Sequence, residues 1–359
     1  MGGNASPSGE PLPPTLTLPP KGGGDRSKRS RVKHAFTVGI TTFVLFQLAL
    51  NVALDTSRPE WRDPEYGHRL KLVRAVPRPL VVVLGSSRPQ MGLSPSDLGI
   101  DGFTVFNHSQ AGCGPVQEVL TLNRLLADGV TPDFVLVEVL SPVLTGNAPA
   151  EKLLKPLTLS YADLGRVEPY CDNPVSLREE WAKTRILPVY SHRLGLLNHI
   201  DPRAVPWEHR TDFMSRDMDR HGWLPYPFAR ISDEKRASGT AAARSQYAGY
   251  FADFRVADRP RQAYRDLLAT CRARKIPVAF FVMPESDTFR GWYPPAARDG
   301  VAAYLAELRH DAPVFDARDW LPAETWYADG HHLMRPGAEA FSRRFGAECV
   351  GPWLKEAAR

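Results

Sequence analysis

The sequence has few cysteines and no Cys-x-x-Cys pair. Its four, Cys113, Cys171, Cys271 and Cys349, stand far apart, which excludes a zinc ribbon or a thioredoxin-type redox motif. An even number permits disulfides only outside the cytoplasm; buried free thiols are the other reading. There is no Gly-x-Gly-x-x-Gly and no Gly-Lys-Ser/Thr, so phosphate-cradling loops are missing. Basic residues outnumber acidic ones by 45 to 40, a net charge of +5. That excess is small, and it lacks the interleaved aromatics of a nucleic-acid surface. No nucleic-acid partner is expected.

What the chain does have is apolar content, 43% over 359 residues. That is ample for one sizeable domain or two small ones. Residues 1–30 are rich in Gly, Pro, Ser and Thr without periodicity and read as disordered. A basic run follows, with Lys21, Arg26, Lys28, Arg29, Arg31 and Lys33, so that 1–34 forms a basic tail. Ala35 to Leu54 then carries no charge. A helix of roughly 20 residues spans about 30 Å, the hydrocarbon thickness of a bilayer. Three readings compete: a signal anchor, a cleaved signal peptide and a buried amphipathic helix. Asn51-Val52-Ala53 matches a cleavage site poorly. The basic flank favours a cytoplasmic N-terminus and an extracytoplasmic, periplasmic-side remainder.

Residues 55–76 mix both charges with prolines and read as a spacer. Beyond them, strands alternate with helices. Pro79 to Gly85 is a β-branched run ended by glycine, a buried strand of the parallel-sheet type. Further strands are expected at Phe103–Asn107, Asp133–Leu140, Ile276–Met283 and Pro313–Asp316. Helices are expected at Gly114–Leu126, Pro260–Lys275, Val301–Arg309 and from Arg335 to Cys349. The alternation predicts an α/β three-layer sandwich with a mainly parallel sheet of about five strands. Residues from about 145 to 250, with Trp181, Trp207 and Trp223, show no clear strand and read as an insertion. They form either one wall of a site or a packing elaboration.

The chemistry is expected in the stretch Asp329-Gly330-His331-His332. An acid and a histidine three positions apart, before a helix, supply the acid and base of a hydrolytic triad. The nucleophile is expected in Gly85-Ser86-Ser87, just beyond the first strand, where a helix start lends N–H groups to a developing oxyanion. Serine needs an adjacent base, and His332 is that base, with Asp329 as its orienting acid.

These residues resemble a family. Gly85-Ser86-Ser87 resembles the Gly-Asp-Ser block of the SGNH (GDSL-like) hydrolases, with Ser86 in place of the Asp. Asp329 to His332 resembles the family's final Asp-x-x-His block. Leu333 to Ser342 resembles the membrane-attached branch that includes alginate O-acetylation and teichoic-acid D-alanylation proteins. The resemblance spans about 77–350 without the insertion and implies a flavodoxin-like fold. It implies Ser87 as nucleophile, with Ser86 as the competing candidate. It implies His332 as base, with His331 in reserve, and Asp329 as its partner. The oxyanion hole would use the N–H groups of Ser87 and Gly112, although Gly112 also fits a plain turn before a helix. The family's asparagine after the third strand has no counterpart, because Glu138-Val139-Leu140-Ser141-Pro142 stands there and Asn147 is poorly placed.

Asn107, Arg88 and Glu285 lie at the same expected edge of the sheet as substrate-binding candidates. Arg88 either holds an anionic group or caps its loop. Glu285 either binds a polar substrate or pairs with Arg88. His108 either touches substrate or bonds the backbone of its loop. Arg318 and Asp319 are expected to brace the Asp-x-x-His loop. Asp329, His331 and His332 are also metal-ligand types, but adjacent histidines rarely point to one ion. No metal and no cofactor are expected. The function expected is a serine-dependent esterase or O-acyltransferase of an acylated envelope or extracellular glycan, with a membrane acyltransferase as a partner. The rival is a non-catalytic envelope protein of the same fold that scaffolds polysaccharide machinery.

Overall fold

The computed structural model describes residues 26–57, 59–146 and 153–359. The tail read as disordered lies outside them up to residue 25, as does Asn147. The chain divides into two units, Met1–Ala49 and Leu50–Arg359.

In the first unit the described part of the basic run, from Arg26, and the apolar run up to Ala49 are helical, within α1 (Arg26–Val52). Residues Arg29–Thr56 make a helix long and apolar enough to cross a membrane. Phe36, Phe43, Leu45 and Phe46 on it are exposed.

The second unit is α/β, with a five-stranded sheet whose neighbours all pair in parallel. The strands are β1 (Leu80–Leu84), β2 (Thr104–Asn107), β3 (Phe134–Glu138), β4 (Val278–Val282) and β5 (Val314–Asp316), in the order β2-β1-β3-β4-β5. Each strand lies within its expected run. Because the strands are parallel, the loops after β1, β2 and β3 leave the same carboxyl edge, and the order reverses between β1 and β3.

Alternate residues of each strand feed two cores. Leu80, Val82, Val135, Val137, Phe280 and Val282 face one cluster. It is covered by α5 (Pro115–Ala127) and by helices Asp258–Ala273 and Pro295–Arg309. Val81, Val83, Leu136 and Phe281 face the other, under Phe341 and Phe345 of helix Arg335–Phe345 and Trp353 of helix Gly351–Ala357. Strands buried on both faces explain the continuous apolar runs.

The expected spacer is instead folded. It carries α2 (Pro59–Arg62) and α3 (Pro64–Ala75). Tyr66, Leu70 and Val73 recur at helical spacing and enter the first core. The charges that suggested a linker are consumed internally: Arg69 is fully buried and donates to the Asn107 and Gly222 carbonyls at 2.7 and 2.6 Å. The insertion, among its described residues, contains helices and turns with no strand of the sheet. All four cysteines are free thiols.

Candidate active site

The first strand delivers a sharp turn into α4 (Ser87–Gly92). Only glycine fits before it. A Cβ on Gly85 would stand 2.5 Å from Pro89 Cγ and 2.9 Å from Glu138 Cβ. Ser86 is the cap of α4: its Oγ accepts the Arg88 N–H at 3.2 Å. Its own N–H donates to Glu138 Oε2 at 2.7 Å. Both capping bonds occupy Ser86 and bury it, which gives it the turn role. Ser87 is the first residue of the helix and half-exposed between buried neighbours. Its N–H has no acceptor within the helix.

Ser87 Oγ lies 2.7 Å from His332 Nε2. His332 Nδ1 lies 2.7 Å from Asp329 Oδ2. Asp329 Oδ1 also accepts the backbone N–H of His332 at 2.9 Å, so the acid fixes both the ring and the chain that carries it. A carboxylate only accepts, so the imidazole proton sits on Nδ1 and the Nε2 lone pair faces the serine hydroxyl. The turn needs a left-handed residue at its apex, and Gly330 has φ 89°. Ala328 N–H donates to the His332 carbonyl at 2.9 Å and closes it. Burial alone would raise the Asp329 carboxyl. The His332 hydrogen bond and the two nearby imidazoles reverse this and hold it well below the usual carboxylate range.

His331 occupies different surroundings. It is buried, wedged between the rings of Tyr247 and Phe289 at 5.1 and 5.0 Å. Burial pushes its imidazole well below the ordinary value. It lies next to Asp329 but does not face Ser87. The ligand atoms of Asp329, His331 and His332 lie within 4.8 Å of one another, a spacing that fits a metal ion. Against that use, both nitrogens of His332 already face Asp329 and Ser87.

Of the three substrate-binding candidates, Arg88 and Glu285 take the second of their two expected roles, and Asn107 is likewise buried. Arg88 is fully buried. It pairs with Glu285 at 3.1 Å and donates to the Met283 and Pro284 carbonyls at 3.0 and 2.9 Å. Its Nε is 3.9 Å from Glu138. Glu285 is equally buried and also accepts the Tyr293 hydroxyl at 2.9 Å. The two therefore pair with each other and lock α4 onto the end of β4. Asn107 is buried too; its Nδ2 donates to the Pro89 and Leu93 carbonyls at 2.7 and 2.9 Å. It ties the end of β2 to α4. In each case burial against protein partners replaces exposure to a ligand.

Gly112 lies in the exposed loop between β2 and α5, with φ 77°. It lines a cleft of about 540 Å³ with Gln110, Cys113, Gln117 and Lys155, a cleft that Ser87 does not line. The bond that joins this loop to the Gly85–Ser87 turn runs from Gln110 N–H to the Gly85 carbonyl, 3.0 Å. His108 neither bonds its loop through its ring nor faces solvent. It packs between Tyr66 and Phe106, and burial pushes its imidazole down to about 3. Arg318 pairs with Asp316 at 2.6 Å, and its carbonyl accepts the Glu285 N–H at 3.0 Å.

Two contributors were not singled out from the sequence. Glu138 ends β3 fully buried beneath Ser86; burial raises its carboxyl, which Arg88 and the Ser86 N–H partly offset. A glutamate inside the apolar run Phe134–Glu138 was the available signal. The second is helix Asp233–Phe251 of the insertion. Arg236 donates to the Tyr327 carbonyl at 3.1 Å, and Tyr247 meets His331. A Cβ on Gly239 would stand 3.2 Å from Asp329 Cβ. The insertion thus packs directly on the acid–histidine loop.

Compared with known proteins, the sequence matches no protein-family model and no curated protein. The chemistry rests on the geometry above.

Proposed function

We propose that this protein is a serine esterase or O-acyltransferase of the SGNH type, working through an acyl-Ser87 intermediate. The observation that carries the reading is the unbroken series Ser87 Oγ, His332 and Asp329, with 2.7 Å at each step. Ser87 Oγ attacks the carbonyl carbon of an ester while its proton passes to His332 Nε2. Asp329 stabilises the imidazolium that results. The tetrahedral oxyanion takes the Ser87 N–H and a second donor, for which Gly112 remains the proposal. Collapse breaks the bond to the leaving alcohol, which receives the proton from His332. Water or a sugar hydroxyl then attacks the acyl-Ser87 ester, its proton moves to His332, and Ser87 Oγ leaves with that proton.

The strand order, with Ser87 at the carboxyl edge where the order reverses, supports a flavodoxin-like SGNH fold. The apolar helix Arg29–Thr56 supports a single membrane span. Arg29, Arg31 and Lys33 on its N-terminal side favour a domain held outside the cytoplasm. An acylated envelope glycan, or a small acyl ester relayed by a membrane acyltransferase, suits that position.

Ser87→Ala should abolish p-nitrophenyl acetate turnover and labelling by a fluorophosphonate. Turnover unchanged by the substitution removes the serine mechanism. A folded wild-type chain that neither turns over the ester nor takes the label supports the scaffold reading. Carbonate extraction should leave the full chain in the membrane pellet, and its release would remove the span.

A further inference from the structure

The second unit begins at Leu50, inside the apolar run that ends at Leu54, and three of its segments converge there. Asn51 Nδ2 donates to the Arg185 carbonyl at 2.9 Å. Asp55 pairs with the Arg185 guanidinium at 2.9 Å and with Arg62 at 3.6 Å. Asp55 Oδ2 also accepts the Tyr161 N–H at 3.3 Å. The residues beside these anchor points turn large apolar groups to solvent. Tyr161 is 73% exposed, Ile186 72%, Leu187 43% and Tyr190 63%. The Arg193 guanidinium lies 4.1 Å over the Tyr190 ring, and Lys183 is exposed nearby in sequence. Single exposed apolar residues are ordinary, but a group gathered at one point marks an interaction surface.

We infer that this surface docks on the lipid bilayer, with Ile186 and Leu187 in the headgroup–acyl boundary and Tyr161 and Tyr190 at headgroup level. The inference rests on the reading of Arg29–Thr56 as a span and not on the chemistry of Ser87. If the run ending at Leu54 crosses the membrane, Asn51 and Asp55 lie at its surface whatever tilt the helix takes. Groups hydrogen-bonded to them lie at nearly the same depth. The composition fits that depth: aliphatic side chains, tyrosines with an apolar ring and a polar tip, and long cations. The occupant is therefore the bilayer that the chain itself enters, not a second protein. A single helix tethers a domain at one point and leaves it free to turn. A second, interfacial contact fixes the height and orientation of the edge that carries Ser87.

The test uses the full chain in vesicles of phosphatidylcholine and phosphatidylglycerol containing a doxyl-labelled lipid. An environment-sensitive fluorophore is placed by Leu187→Cys or Ile186→Cys. Phe46→Cys places it in the apolar helix, and Arg274→Cys places it on an exposed helix end before β4. The wild-type chain, labelled identically, gives the background from native cysteines. Docking predicts that positions 186 and 187 lose emission severalfold more than position 274. Quenching at 46 with 187 equal to 274 overturns the docking while the span stands. Quenching at neither 46 nor 187 overturns both. Shielding of 187 from aqueous iodide without quenching by the lipid assigns the surface to a protein and overturns the docking.

Discussion

The Glu138 carboxylate accepts the backbone N–H of Ser86 at 2.7 Å, one residue before the proposed nucleophile. A buried acid at the end of β3 thereby holds the turn that leaves β1. The same acid shares Arg88 with Glu285, so one guanidinium from α4 faces two buried carboxylates. The helix α4 is thus fastened to the ends of two neighbouring strands by charge.

Arg88→Leu should lower stability by about 3–5 kcal/mol in urea unfolding, because it strands buried carboxylates without their counter-charge. The loss should depend on pH with a definite sign. Burial already raises the Glu138 carboxyl, and removal of Arg88 raises it further. A raised acid favours the fold while it is protonated and loses that contribution as pH rises through its folded value. The deficit should therefore be smaller near about pH 4 than near about pH 8. A deficit independent of pH contradicts the charge argument.

The two adjacent histidines should separate cleanly. His332→Ala removes the base that meets Ser87 and should lower kcat by about 10²–10⁴. His331→Phe keeps a flat ring between Tyr247 and Phe289 and discards only a neutral imidazole. It should retain ester turnover within about tenfold, since it removes the contacts to the Tyr247 hydroxyl at 3.4 Å and to Asp329 at 3.2 Å but no proton transfer. Steady-state rates on p-nitrophenyl acetate, with circular dichroism to confirm the fold, check both. A loss of turnover in His331→Phe as deep as in His332→Ala, together with zinc-dependent turnover in the wild type, points to the metal arrangement instead.

Asp329→Asn should cost on the order of 10³–10⁴ in kcat, because the amide no longer enforces the Nδ1–H tautomer. It should also reshape the acid limb of stability. The Asp329 carboxyl is depressed in the fold: burial opposes this, but the bond and charge of His332 prevail. A depressed acid stabilises fully above its unfolded value and loses that contribution as pH falls below it. The stability gap between wild type and Asp329→Asn should narrow below about pH 4. Thermal unfolding across pH measures it, and a gap that widens in acid rejects the pairing.

What was legible in the sequence was local. The β-branched runs mark five strands because a doubly covered parallel strand is apolar throughout. Asp329 and His332 are three residues apart, so their partnership is a property of one turn. Ser87 was legible as the residue just past a strand. The pairing of Glu285 with Arg88 was legible only as one of two readings, and the role of Asn107 was not legible. Their partners sit 195 to 197 and 14 to 18 positions away, and nothing in a sequence says which exposed-looking polar residue becomes a buried clamp. Residues 64–75 misled for a related reason. Tyr66, Leu70 and Val73 carry a helical stripe, but Arg69 among them is buried through pairing that only the tertiary structure supplies.

Gly239 offers a way to reach the site from the insertion without touching any reacting atom. It lies inside helix Asp233–Phe251, where glycine costs about 1 kcal/mol relative to alanine. Its reason for being there is contact: a Cβ would stand 3.0 Å from the Ala328 carbonyl oxygen and 3.2 Å from Asp329 Cβ. Gly239→Leu adds a branched side chain to that gap. The helix should hold, since leucine favours it, and the loop that carries the acid should yield. Displacement of a positioned group by about 1 Å can cost on the order of 10²-fold in rate. We therefore expect kcat to fall by about ten- to a hundredfold while the urea midpoint changes little. His332 should then be less firmly held, so fluorophosphonate labelling of Ser87 should slow in proportion. Full activity in Gly239→Leu means that the insertion packs beside Asp329 without fixing it.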